Sequence, residues 1–272
     1  MNQILRQNLS LQLSTSQALQ HGLDELHLMI RNNEDRLAEP YFLKDMKMWM
    51  LGANKREFFS GKLPAQHFLR SDKGLLERVL QYASNRHRGE YRESGYPYLA
   101  HVYATGFLLA RLGFPKEIVL SGLVHDAIED NPDKKGVLNE IYALMPAMAY
   151  YVYSVSGPDI RDSVEKDKVL NARIHAFSEH ANNSFPQAIK CADGIANLYD
   201  LDAMQAKDGR TATQRKRLFL DKLRDKVLPY AAIIDQENYI PIRKRKEVFS
   251  LHEYLVDAIE EKSQSLMSDT SM

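Results

Sequence analysis

Ile118-Val-Leu-Ser-Gly-Leu-Val-His-Asp-Ala-Ile-Glu-Asp130 sets an imidazole and three carboxylates into an otherwise apolar run. Its periodicity predicts a helix over about 115–129. An adjacent His125 and Asp126 in a buried helix cost free energy unless they are paired or hold a cation. Glu129 and Asp130 follow Asp126 at plus three and plus four, so a helix places them on one face with it. Carboxylates crowded there repel one another until a positive charge sits among them. A lone buried histidine is more often a satisfied core residue. The acidic company of His125 argues for a ligand instead.

Two further segments carry the same kind of exception. His101 lies in Tyr98-Leu-Ala-His-Val-Tyr, and Asp193 in Ala188-Ile-Lys-Cys-Ala-Asp-Gly-Ile-Ala-Asn-Leu, each on an apolar predicted helix. Two imidazole nitrogens and two carboxylate oxygens suit Mn(II), Fe(II), Co(II) or Zn(II) better than a thiolate-selected metal. Four protein ligands on a six-coordinate ion leave room for water and a substrate oxygen, and such an ion makes hydroxide available near neutral pH.

Outward from these segments the chain reads as all-α. Leu19, Leu23, Leu26 and Ile30 form a helical stripe after Ser14, Thr15 and Ser16, which can cap it. The stripe is expected to pack on the rest of the chain or on a second subunit of a homo-oligomer. Residues 39–52, rich in Met and aromatics, are expected to be irregular. A helix starting near Ser71 or Asp72 carries Leu75, Leu76, Val79, Leu80 and Ala83, and the turn-formers of 89–97 predict a loop. Helices are expected over 98–112, 137–155, 160–180, 186–201 and 213–234. A basic run, 243–246, precedes an amphipathic helix to about Glu261, with 263–272 frayed. The fold expected is a helical bundle around one ion. Its divisions are 1–70 as an N-terminal extension, 71–238 as the domain carrying the chemistry, and 239–272 as a C-terminal helix and tail.

Composition bounds the partners. The 272 residues are 44% apolar, enough for a core, with 36 basic against 36 acidic residues. No net field draws in nucleic acid or an anionic membrane. The single cysteine, Cys191, forms no internal disulfide and fits a reducing compartment. Residues 1–10 lack an apolar signal region, and the longest apolar stretch, 143–155, is broken by Pro146 and too short to span a bilayer. A soluble cytoplasmic protein is expected.

The order His, His-Asp, Asp resembles the HD superfamily of metal-dependent phosphohydrolases. His87-Arg-Gly-Glu-Tyr-Arg-Glu-Ser-Gly-Tyr-Pro-Tyr-Leu-Ala-His101 resembles the opening signature of the hydrolase domain of RelA/SpoT enzymes. Leu123-Val-His-Asp-Ala-Ile-Glu-Asp-Asn131 resembles their second signature, and Ile189-Lys-Cys-Ala-Asp-Gly-Ile-Ala-Asn-Leu-Tyr-Asp-Leu201 their third, with an ending similar to the small alarmone hydrolases. The resemblance covers about 75–234 and implies an all-α HD bundle. It implies His101, His125, Asp126 and Asp193 as ligands of one divalent ion, usually Mn(II). It implies Glu129 and Asp130 as the acidic pair that orients or deprotonates the attacking water, and Arg92, Ser94, Tyr98, Lys190 and Asn197 as substrate contacts, with Arg92 packing on guanine. The reaction implied is hydrolysis of the 3′-pyrophosphate of guanosine tetra- or pentaphosphate. No synthetase domain is expected after Ile234, where few residues remain.

Several positions depart from the family pattern. Glu93 stands where Lys is frequent, Gly194 and Ala196 replace a basic residue and a His or Tyr, and Tyr199 replaces Arg. Gly194 also costs about 1 kcal/mol of helix propensity against Ala. Fewer cations around the cleft favour, as a second reading, an HD hydrolase of another nucleotide or phosphomonoester. A third is a nucleotide-binding regulatory module without turnover, against which the complete ligand set and acidic pair argue. His87 is expected to be structural, and His175, His180 and His252 to be surface or packing residues. The runs 215–217 and 243–246 read as solvated helix faces, unless Arg217 or a neighbour leans over the cleft.

Overall fold

The computed structural model describes residues 15–50, 73–129, 131–237, 243–244 and 247–269. Ser14, Ser71, Asp72, Asp130, Lys246 and the last three residues, which entered the sequence reading, lie outside the described residues. The fold is all-α, apart from a minimal hairpin of β1 (Arg243–Lys244) and β2 (Glu247–Val248), with Arg243 opposite Val248. Among the described residues no helix is long and apolar enough to cross a membrane.

The centre of the molecule is α4 (Leu99–Arg111), every residue of which is buried. A helix apolar on all faces must be enclosed by others. The surrounding helices that touch it are α1 (Thr15–Arg31), α3 (Lys73–Arg86), α5 (Lys116–Gly122) and α9 (Phe185–Tyr199). The leucine stripe of α1 is fully used: Leu19, Leu23, Leu26 and Ile30 are buried in one apolar cluster continuous with α4. Of the two covers expected for that stripe, the chain itself supplies one.

α4 and α5 approach closely because both carry glycine where they meet. A Cβ on Gly106 would fall 2.5 Å from Leu123 Cδ2, and one on Gly122 would fall 3.4 Å from the Gly106 Cα. This contact brings the helix bearing His101 against the segment bearing His125.

The structure corrects several expected boundaries. The helix expected over 115–129 ends at Gly122. The chain then runs as turns closed three residues back, Val124 N–H to Ser121 O, Ala127 to Val124 and Glu129 to Asp126, each 3.1 Å. His125 is the cause we identify: its ring Nδ1 lies 2.8 Å from the Gly122 carbonyl, so a side chain takes an acceptor that a continuing helix would have offered to backbone. Of the segment 39–52, expected to be irregular, the described part, 39–50, is not. It holds α2 (Pro40–Met50), with proline in the first turn and Phe42, Leu43, Met46 and Met50 buried at helical spacing.

The helix expected over 137–155 is two, α6 (Lys134–Leu144) and α7 (Pro146–Val155). Met145 between them is extended at φ −166° and ψ 117°, as a residue preceding proline prefers. The region expected as 160–180 is α8 (Ser163–Ala181), started by Asp162, whose carboxylate accepts from the Glu165 N–H at 2.8 Å. The helix expected over 213–234 is α10 (Ala212–Lys222), one π-helical turn (Leu223–Val227) and α11 (Leu228–Gln236). Pro229 offers no N–H to the preceding turn, and the wide turn absorbs the defect. The C-terminal helix α12 (Leu251–Asp269) takes in residues 263–269 of the segment expected to fray, with Leu266 buried. Asp235 anchors its start by accepting from the Leu251 and His252 N–H groups, both at 2.9 Å.

Filling the α4–α5 contact tests this packing. Gly106→Val is expected to lower the unfolding free energy by roughly 1–3 kcal/mol, read as a lower urea midpoint; an unchanged midpoint would show that the two helices do not meet there.

Candidate metal centre and adjoining cleft

Three segments bring His101, His125 and Asp193 to one point, with Asp126 against both imidazoles. His101 comes from the first turn of buried α4, Asp193 from α9, and His125 and Asp126 from the turns after α5. The ligand atoms of His101, His125 and Asp193 lie within 4.8 Å of one another. Asp126 touches both imidazoles, Oδ2 being 3.2 Å from His101 Nε2 and Oδ1 3.1 Å from His125 Nε2. Asp193 Oδ1 lies 3.3 Å from His101 Nε2 and 3.7 Å from His125 Nε2.

These donors fit a divalent cation. His125 Nε2 is buried and makes no hydrogen bond among the described residues, while Nδ1 faces the Gly122 carbonyl. That bond keeps a proton on Nδ1, so Nε2 is the atom that faces the carboxylates and can take either a second proton or a metal ion. The electrostatics agree. Burial alone would pull His125 down, but Asp126 and Asp193 push it up to about 10. Burial would raise Asp126, yet the His125 charge and a His101 contact hold it well below the carboxylate range. Asp193 is held low against burial by Lys190 first and the two histidines next. The cluster therefore calls for positive charge, which a proton or a metal ion can supply.

Around this centre, Lys190 donates to Asp193 Oδ2. Glu129 is anchored by the Gly157 N–H, 2.8 Å from its Oε1. Tyr98 donates its hydroxyl to Asp126 Oδ2 at 2.7 Å, and burial followed by the Asp126 charge raises its pKa, keeping the proton in place. Asn197 donates Nδ2 to Asp193 Oδ1 at 2.6 Å.

Tyr98 and Asn197 also line a cleft of about 340 Å³ together with Arg92 and Ser94, so four of the expected substrate contacts share one space. Arg92 gives Nε to Asp200 Oδ2 at 2.9 Å and Nη2 to Asn197 Oδ1 at 2.5 Å, and its guanidinium lies 5.4 Å from the Tyr98 ring centre. Ser94 Oγ is buried without a hydrogen-bond partner among the described residues. The sequence reading missed Asp200, although it stands in the third signature one turn after Asn197.

The departures from the family pattern have structural reasons. A Cβ on Gly194 would sit 3.0 Å from Leu223 Cδ2 and 3.3 Å from Val227 Cγ1, so this glycine seats the π-helical turn. Ala196 is buried. Tyr199 stacks on His27 at 3.9 Å between centroids and donates to Asp24 Oδ1 at 2.9 Å, tying α9 to α1. Arg217 is exposed, whereas its neighbour Arg215 lines the cleft. His87 stacks on Tyr98 at 4.9 Å and bonds Glu90 at 2.6 Å, a packing role.

No family model matches the chain. In sequence it is similar to RelA/SpoT-type proteins. It is 25% identical over 181 residues to a guanosine-3′,5′-bis(diphosphate) 3′-pyrophosphohydrolase of Borreliella burgdorferi, covering 66% of this chain and 24% of the relative. It is 29% identical over 151 residues to a probable GTP diphosphokinase RSH3 of Oryza sativa, covering 54% of this chain and 21% of the relative. To the bifunctional (p)ppGpp synthase/hydrolase RelA of Mycobacterium tuberculosis it is 36% identical over 61 residues, covering 22% of this chain and 8% of the relative. The matched part thus spans less than a quarter of these relatives' length. A solved structure described as a metazoan ortholog of SpoT that hydrolyses ppGpp aligns with TM-score 0.49 and 20% identity, over 68% of this chain and 93% of that one.

Two substitutions separate ligand from support. Asp193→Ala is expected to abolish Mn(II) binding, and Tyr98→Phe, which removes only a hydrogen bond to Asp126, to weaken it roughly tenfold. Both are read by titration followed by electron paramagnetic resonance; equal affinity in all three proteins would contradict the site.

Proposed function

We propose that the chain is a RelA/SpoT-type metal-dependent phosphohydrolase that removes the 3′-pyrophosphate of guanosine tetra- or pentaphosphate, leaving GDP or GTP and pyrophosphate. The observation that carries this reading is the meeting of His101, His125, Asp126 and Asp193 beside the cleft lined by Arg92, Ser94, Tyr98 and Asn197. The similarity to a 3′-pyrophosphohydrolase supports the substrate. The hydrolytic unit would be 71–238, with 1–70 and 239–272 as its extensions.

His101, His125, Asp126 and Asp193 would hold one divalent ion, Mn(II) in this proposal. When bound, the ion supplies Lewis-acid polarisation and a lowered pKa for water. Glu129 would orient the attacking water and accept its proton, its carboxylate already held by the Gly157 N–H. Asp130 would complete the acidic pair. Arg92 would bear on the base, its plane set by Asp200 and Asn197. Tyr98 and Asn197 each bond a proposed ligand and also face the cleft, so base recognition and ligand geometry would be set together. Lys190 would hold Asp193 in position and offset charge near Glu129.

A second reading, another nucleotide or phosphomonoester for the same machinery, is favoured by the acidic Glu93 at the cleft.

The deciding assay adds Mn(II) and guanosine tetraphosphate and measures pyrophosphate. Release is expected. No release alongside turnover of another nucleotide would select the second reading, and tight binding without any turnover would leave a regulatory module. Glu129→Gln is expected to keep the metal and lose about 10²–10⁴ in kcat; full activity would remove Glu129 from the mechanism.

A further inference from the structure

The cleft is closed on one side by a contact between distant parts of the chain. Arg215 Nη1 and Nη2 reach Glu93 Oε2 and Oε1 at 2.8 and 2.9 Å. This two-pronged geometry is the one a guanidinium also makes with phosphate. Both residues line the cleft, and 122 positions separate them in sequence.

Arg215 is fixed on its own side, and Gln205 bridges the pair. Thr211 and Gln214 cap α10 reciprocally, at 2.9 and 3.1 Å, directly before Arg215. Glu93 accepts a third bond from the Gln205 N–H at 3.1 Å, and Arg215 also donates to the Gln205 carbonyl. The other cleft guanidinium, Arg92, is taken by Asp200 and Asn197. The side chains of Glu93 and Arg215 remain 38% and 20% exposed, so the pair stands at the mouth, where water screens it and separation is cheap.

We propose that Glu93 is a specificity-determining residue, a built-in carboxylate that competes with the phosphates of the nucleotide for Arg215. A ligand with phosphate at the mouth displaces Glu93 and gains a bidentate partner. A ligand without one leaves the pair closed, so the site selects against uncharged nucleosides. The inference rests on the nucleotide reading of the cleft and names how its charge is recognised.

The test titrates the Mn(II)-loaded protein with GDP and with guanosine, by calorimetry, in the unaltered chain, Glu93→Gln and Arg215→Gln. Removing the competitor is expected to tighten GDP roughly two- to fivefold in Glu93→Gln, the range for an exposed ion pair. Arg215→Gln is expected to weaken GDP at least as much, and guanosine to bind all three alike. Weaker or unchanged GDP binding in Glu93→Gln would make Glu93 a strut for Arg215 or a bystander, and overturn the proposal. So would equal changes in guanosine, or no GDP binding by any of the three. Glu93→Ser removes the same charge if the amide disturbs the loop. A protein that shows the expected pattern but releases no pyrophosphate from guanosine tetraphosphate loses the proposed reaction and keeps this inference. One that hydrolyses the tetraphosphate with Glu93→Gln indifferent to GDP loses only this inference.

Discussion

Two carboxylates and two imidazoles meet in a largely buried place, and that charge must be answered there. Asp126 and Asp193 stand 3.1–3.7 Å from His101 Nε2 and His125 Nε2. Lys190 answers part of Asp193. The remaining negative charge draws a proton onto His125, which explains why its pKa is driven up despite burial. A divalent ion satisfies the same demand with more charge in the same space, so the cluster fits a metal better than a core of self-paired residues. Neutral polar residues in these positions would have needed no such arrangement.

The packing serves that convergence. α4 is buried on every face, so His101 has a fixed depth. Gly106 and Gly122 let the neighbouring segment come close enough for the two imidazole rings to lie 5.2 Å apart. The bond from His125 to the Gly122 carbonyl then ends α5 and turns Asp126 toward the same point. Tyr98 and Asn197 extend the arrangement outward, each bonding one carboxylate of the centre while lining the cleft. A change in the cleft therefore reaches the centre through a single hydrogen bond on either side.

Much of this was legible from residue types. His101, His125, Asp126 and Asp193 stand out because each breaks an apolar run, and the all-α class follows from helical spacing. Pro146 and Pro229 mark helix breaks that local chemistry alone could have placed. The end of α5 could not be read this way, because periodicity does not see a side chain competing for a backbone carbonyl. α2 was obscured by its Met and aromatic content, although Phe42, Leu43, Met46 and Met50 keep helical spacing. The roles of Gly194, Tyr199 and the Glu93–Arg215 pair depend on partners far away in the chain, and no local pattern announces them.

Diffraction from crystals grown with Mn(II), collected on both sides of the manganese absorption edge, tests the central claim most directly. The account predicts one anomalous peak bonded at roughly 2.0–2.3 Å by His101 Nε2, His125 Nε2 and one oxygen each of Asp126 and Asp193, distances typical of nitrogen and carboxylate ligation. A fully loaded crystal with no peak among those four side chains, or with its peak elsewhere, would contradict it.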